Sequence, residues 1–167
     1  MEIRFTSNIP ADTNPILISG KESLKYASAI YLAVKNNGRE VYYEIRLQNV
    51  ADVFREAIQY NNIIIAGFGD SLYIFDTFTN TEILALPLDG YFGHLYLEAE
   101  ELYVTNCSGV WCISLNGELK WYSKNLAVDG ITINDFTIDE IHISAEIDPP
   151  GGWVPLILDR KTGQKIS

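Results

Sequence analysis

Between Arg55 and Lys120 the chain contains no lysine and no arginine, yet this interval holds Glu56, Asp70, Asp76, Glu82, Asp89, Glu98, Glu100, Glu101 and Glu118. Over the whole chain 12 Lys and Arg face 22 Asp and Glu, for a net charge of -10. An anionic nucleic-acid backbone or lipid surface is repelled by such a protein, so direct binding to DNA, RNA or membrane is not expected. Cysteine is also scarce. Cys107 and Cys112 are the whole complement, and their C-x4-C spacing lacks the two closer pairs of a four-ligand zinc site. His94 and His142 are the only histidines. No metal and no cofactor is therefore expected. The densest apolar run, Ile63-Ile64-Ile65-Ala66, falls far short of the roughly 18 residues that cross a bilayer. Met1-Glu2-Ile3-Arg4 lacks the basic and apolar regions of a secretory leader, which predicts a cytoplasmic protein. No glycine loop precedes a helix, because Gly67-Phe68-Gly69 joins strand to strand, so a nucleotide site is not expected.

What the chain has is globular composition: 47% hydrophobic and 20% charged residues, with ten Tyr, seven Phe and three Trp. A length of 167 residues fits one domain able to bury a real core. The charge is unevenly distributed. Residues 1–60 hold seven acids and seven bases, whereas residues 61–167 hold fifteen acids and five bases. Either a solvated acidic surface or a docking face for a basic partner follows.

The predicted fold class is mainly β, an antiparallel meander of blade-like units with one amphipathic helix at about residues 50–60. It forms a single domain over 1–167, with a lead-in, hairpin and helix in 1–62 and repeated units of about 39 residues in 63–167. Ile16-Leu17-Ile18-Ser19 is a weak strand signal. Ile30, Leu32 and Val34 alternate with polar or small neighbours, Asn37-Gly38 turns the chain, and Val41, Tyr43, Ile45 and Leu47 alternate again, which reads as a hairpin. Asn49 as N-cap and Val50, Val53, Phe54, Ala57 and Ile58 at helical spacing predict the helix, with Asn61-Asn62 as its stop. From Ile63 onward the chain repeats. Ile63–Ala66, Leu102–Thr105 and Ile141–Ser144 begin at regular intervals, and each is followed by a small-residue turn, a second strand and a polar turn.

The stretch from Glu101 to Trp121, ELYVTNCSGVWCISLNGELKW, resembles a blade of the quinoprotein-type (PQQ-like) β-propeller repeat. Leu72–Asp76 and Leu158–Lys165 are similar but looser, with Leu84 and Ile166 near the position of the Trp. The resemblance implies propeller-like architecture and partner binding. It supplies no quinone or metal ligands to carry over. A closed propeller needs at least four blades, and about three units plus a hairpin barely reach that number, so a propeller-like fragment or a continuous twisted meander is expected.

Catalysis is not expected. Cys107 activated by His94 would be a nucleophile, but the pair lacks an orienting third group, and Cys107 reads more simply as a turn cysteine. Cys112, next to Trp111, reads as a small buried hydrophobe. The carboxylates cluster in predicted turns, where water solvates them. Two segments stand out as contact sites. Asp148-Pro149-Pro150-Gly151-Gly152-Trp153 offers an aromatic anchor, unless Trp153 folds into the core; Asp89–His94 is an aromatic turn that reads more simply as a connection packed by its own rings. The leading expectation is a non-catalytic immunity or inhibitor protein that neutralises a basic toxin such as a nuclease. Glu98, Glu100, Glu101, Asp129, Asp135, Asp139, Glu140, Glu146 and Asp148 would supply charge, with Trp153 and Tyr91 as anchors. The alternatives are a propeller-like scaffold or assembly subunit, and a small-ligand binder or enzyme with a cleft between β units.

Overall fold

The computed structural model describes residues 2–19, 28–36, 38–47 and 54–166. The chain divides into two compact units, Met1–Leu86 and Pro87–Ser167.

In the first unit, β1 (Glu2–Thr6), β2 (Ile16–Leu17), β3 (Ser28–Asn36) and β4 (Arg39–Leu47) form one sheet in the order β1-β3-β4-β2. The predicted hairpin is β3–β4, with Val34 opposite Val41 and Ile30 opposite Ile45. Its Asn37 lies outside the described residues. Alternation does its usual work here: Ile30, Leu32, Val34, Tyr43, Ile45 and Leu47 are buried and share a core with Ile64, Ala66, Phe68 and Phe75. The short β2 runs parallel to β4.

The second sheet of this unit is β5 (Arg55–Tyr60), β6 (Ile63–Phe68), β7 (Ser71–Asp76) and β8 (Thr81–Pro87), in sequence order. Here the expected helix is corrected. Residues 48–53, including the proposed N-cap Asn49, lie outside the described residues, but Arg55–Tyr60 is a strand, and no helix occurs among the described residues. Asn61, at φ 53, turns this strand directly onto β6, with Tyr60 opposite Ile63 and Ile58 opposite Ile65. A helix of about eleven residues is marginal alone. Pairing with the fully buried Ile64 and Ile65 overrides its helical spacing.

The second unit holds two further antiparallel sheets. One is β9 (Phe92–Glu98), β10 (Glu101–Asn106), β11 (Val110–Ser114) and β12 (Leu119–Ser123); the other is β13 (Ile131–Phe136), β14 (Glu140–Asp148) and β15 (Gly152–Asp159). Leu158 also bridges Lys165, the beginning of a fourth position on the last sheet. The apolar runs that carry the sequence repeat are the second strands β6, β10 and β14, so each sheet opens one strand earlier than the repeat predicts. Tyr103, Val110 and Cys112 of the first of these sheets pack with Ile131, Ile133, Ile141, Ile143, Leu156 and Leu158 of the second. The Tyr96 hydroxyl reinforces this packing by accepting from the Ile133 amide at 3.1 Å.

The turns after β7, β11 and β15 share one device. A residue in the left-handed conformation, Asn80 (φ 54), Gly117 (φ 87) or Gly163 (φ 71), reverses the chain. A polar side chain at the strand end holds the turn. Asp76 accepts from the amides of Phe78 and Thr79 at 2.7 and 3.2 Å, and Asp159 accepts from the amide and hydroxyl of Thr162 at 2.7 and 2.6 Å.

Candidate functional site

All the residues nominated from sequence fall in the second unit, but they gather at two ends of its strands. Glu140 and Glu146 lie on the same strand β14. At about 3.3 Å per residue the stretch from 140 to 146 is roughly 20 Å long. Asp129, Glu146, Asp148, Trp153 and Tyr91 belong to one end, and Glu98, Glu100, Glu101, Asp139 and Glu140 to the other. Asp135 lies exposed on β13 opposite His142, beside a register shift. The carboxylates therefore form no single face.

Several of them are also engaged within the fold. Glu146 is only 9% exposed and accepts the Gly151 amide at 2.5 Å, closing the β14–β15 loop. Asp129 receives the Tyr91 hydroxyl on its carbonyl and on Oδ1, at 2.6 and 2.7 Å. Burial and that carboxylate drive the Tyr91 phenol well above its ordinary pKa, so it stays a neutral donor. Glu140 pairs with His142 at 3.0 Å. Glu98, Glu100, Asp139 and Asp148 are exposed.

At the first end, the Trp153 ring lies over Gly130: a Cβ added there would stand 3.2 Å from Cη2 and 3.8 Å from Cζ2 of the indole. Trp153 nevertheless remains 46% exposed, next in sequence register to Glu146, and Ile147 and Val128 are exposed by 50% and 63%. The Val128 amide donates to the Glu146 carbonyl at 2.8 Å, which keeps these three apolar side chains on neighbouring backbone. The outcome lies between the two sequence expectations: Trp153 is seated on a glycine and still presents half its surface. The aromatic turn at Tyr91 is fixed through the Asp129 bonds and the Cys107 amide, which donates to the Tyr91 carbonyl at 3.0 Å. Cys107 is thus a turn residue, while Cys112 is buried with its thiol pKa raised to about 11, chiefly by burial.

The second end contains residues that sequence reasoning did not single out as a site. Tyr103, fully buried, donates its hydroxyl to Glu101 at 2.6 Å and accepts from Arg160 Nε at 3.1 Å. The Arg160 guanidinium also donates to the Thr137 carbonyl at 2.8 Å and lies 5.9 and 5.5 Å from the ring centres of Tyr103 and Phe136. Lys120 pairs with Glu101. Burial alone raises the Glu101 pKa, but the bonds from Lys120 and Tyr103 outweigh it and hold the carboxyl below its ordinary value. Trp121 donates its indole N–H to the Arg160 carbonyl at 3.1 Å, and its ring closes over Gly163. A seam of aromatic and charged side chains thus joins the two sheets of this unit.

No family model matches the sequence, and no curated protein matches it. Among solved structures the chain is similar to BamB from Moraxella catarrhalis, with a TM-score of 0.56 and 13% identity over 82% of this chain. That protein is a β-propeller. At such identity the likeness is one of fold. The chain spans 42% of the length of BamB. The Hsv2 proteins of Kluyveromyces marxianus and Kluyveromyces lactis align with TM-scores of 0.41 and 0.40, at 10% and 11% identity, over 83% of this chain and 57% of theirs.

The repeated antiparallel sheets are thus propeller-like. Among the described residues no group of His, Cys, Asp or Glu is arranged to hold a metal ion. The signal that could have revealed the second end was the pairing of Trp121 with the Gly163 turn, positions that the repeat resemblance had already marked without assigning them a role.

Proposed function

We propose that this chain is a non-catalytic binding scaffold of propeller-like sheets, and that it meets a polypeptide partner through the end of the second unit carrying Trp153. The observation behind this reading is the half-exposed indole fixed over Gly130, with Val128, Asp129, Ile147 and Asp148 exposed on the adjoining backbone. A rigid aromatic side chain loses little entropy on binding and supplies the kind of anchor that dominates interfaces. The two exposed acids favour a basic segment on the partner. The seam in which Trp121 of one sheet meets the Gly163 turn of the next supports the narrower reading of a quinoprotein-type repeat. The reading as an inhibitor of a basic toxin needs carboxylates gathered on one surface, and their division between two ends does not favour it.

A photo-crosslinking amino acid at position 153, compared with one at Asn116 in an exposed turn of the same unit, tests this reading in cells. A discrete protein adduct from position 153, absent at 116, is expected. Equal labelling from both positions, or no adduct at 153, would refute it.

A further inference from the structure

We infer that the cleft at the opposite end of the second unit binds a carboxylate side chain from a mixed-charge peptide segment. The inference rests on the scaffold reading but not on the Trp153 surface. The cleft has a volume of about 360 Å³, and its walls include Glu101, Lys120, Trp121, Asp139, Arg160 and Lys161. Residues 87–167 contain five lysines and arginines in all, Lys120, Lys124, Arg160, Lys161 and Lys165, and three of the five line this one cleft. In a protein so short of positive charge, their convergence marks the place where an anion is least repelled.

Arg160 is the organising group. An arginine carries five N–H donors in a planar fork. One of them is committed to Tyr103 and one to the Thr137 carbonyl, while Phe136 and Tyr103 support the guanidinium plane. The remaining donors have no acceptor among the described residues. The side chain is therefore already ordered, and the fork geometry suits the two oxygens of a carboxylate. Lys161, exposed beside it, adds a second cation, whereas Lys120 is already paired with Glu101.

The acids of the cleft decide what accompanies that carboxylate. Glu101, Asp139 and Asp159 balance the three cations, so a lone anion, doubly charged phosphate above all, gains no net attraction, whereas an acid that brings its own neighbouring cation leaves the cleft balanced. Asp139 is exposed at the rim, and its side chain can receive a basic residue adjoining the bound acid. An Asp or Glu next to Lys or Arg meets both requirements.

The test is a titration of the intact, 15N-labelled protein with acetyl-Glu-Lys-amide, following the Arg160 Nε–H and Trp121 indole N–H signals. Saturable shifts in the millimolar range are expected, as for a single weak contact. Acetyl-Gln-Lys-amide should bind about tenfold more weakly, since it lacks the charge-assisted fork. Arg160→Lys should cause a similar loss. Because Arg160 also supports Tyr103, the exposed Lys161→Ala serves as the second variant, folded as the parent and weakened about threefold. No saturable shift with the Glu peptide, equal binding of the Gln peptide, or tighter binding of inorganic phosphate would each overturn the inference. A failed titration alongside a discrete adduct from position 153 removes the cleft and keeps the scaffold; saturable titration without that adduct keeps the binding cleft and removes the Trp153 surface.

Discussion

Gly163→Ala is expected to destabilise the protein by about 3 kcal/mol. Two costs add at this position. Its φ of +71 lies in the left-handed region, which costs an alanine about 1 kcal/mol. The new methyl would also stand 2.4, 2.7 and 2.9 Å from Cε3, Cδ2 and Cζ3 of Trp121, closer than any relaxed contact allows. The ring cannot easily retreat, because its N–H is bound to the Arg160 carbonyl and Tyr103 packs against it at a tilt of 53°, with ring centres 6.0 Å apart. Overpacking of this kind typically costs about 1–3 kcal/mol. Gly151→Ala is the matched comparison. Gly151 has φ +90 but nothing within 4 Å of its Cβ position, so only the backbone cost of about 1 kcal/mol is expected there. Urea denaturation of the two variants separates the terms, and equal losses would show that Trp121 does not press on Gly163.

The second large effect is at Tyr103. Tyr103→Ala removes a fully buried ring from the core between the two sheets of the second unit, and a loss of about 4 kcal/mol is expected. Tyr103→Phe keeps the ring and deletes only the hydroxyl. Glu101 retains Lys120, but Arg160 Nε loses its acceptor, so about 1–2 kcal/mol is expected from this change alone. The difference between the two variants reports the packing, and the smaller loss reports the hydrogen bonds. A Phe variant as damaged as the Ala variant would mean that the polar contacts, rather than the ring, hold this seam.

Much of the fold was legible in the chain because burial imposes simple patterns. The β3–β4 hairpin announces itself through alternation around Asn37-Gly38, β6 and β10 through apolar runs buried on both faces, and β14 through Ile141 and Ile143 alternating with His142 and Ser144. The opening strands β5, β9 and β13 were harder to read. In β5 the placement of Ala57 and Ile58 imitates a helix, in β9 Gly93 and His94 interrupt the apolar residues, and in β13 a register shift between Ile133 and Asp135 breaks the alternation. Tertiary pairing decides such segments, and composition does not carry it.

The candidate site divides in the same way. Surplus acid was countable, but its separation along β14 was not, because charge patterning says nothing about which end of a strand a residue occupies. The sequence leaves the exposure of Trp153 open, and the structure sets it at 46%. Arg160, Lys120 and Tyr103 come from different strands and meet only because β12 and the turn after β15 lie side by side, as the Trp121 bond to Arg160 records.

The relation between Trp121 and Gly163 is the most direct test of the propeller-like seam on which the scaffold and its cleft depend. In a two-dimensional NOE spectrum, cross-peaks between the indole ring protons of Trp121 and the α-protons of Gly163 are predicted, with those α-protons shifted upfield by the ring. Gly163 α-protons at unperturbed shifts, with no cross-peak to the indole, would contradict the packing of these two sheets.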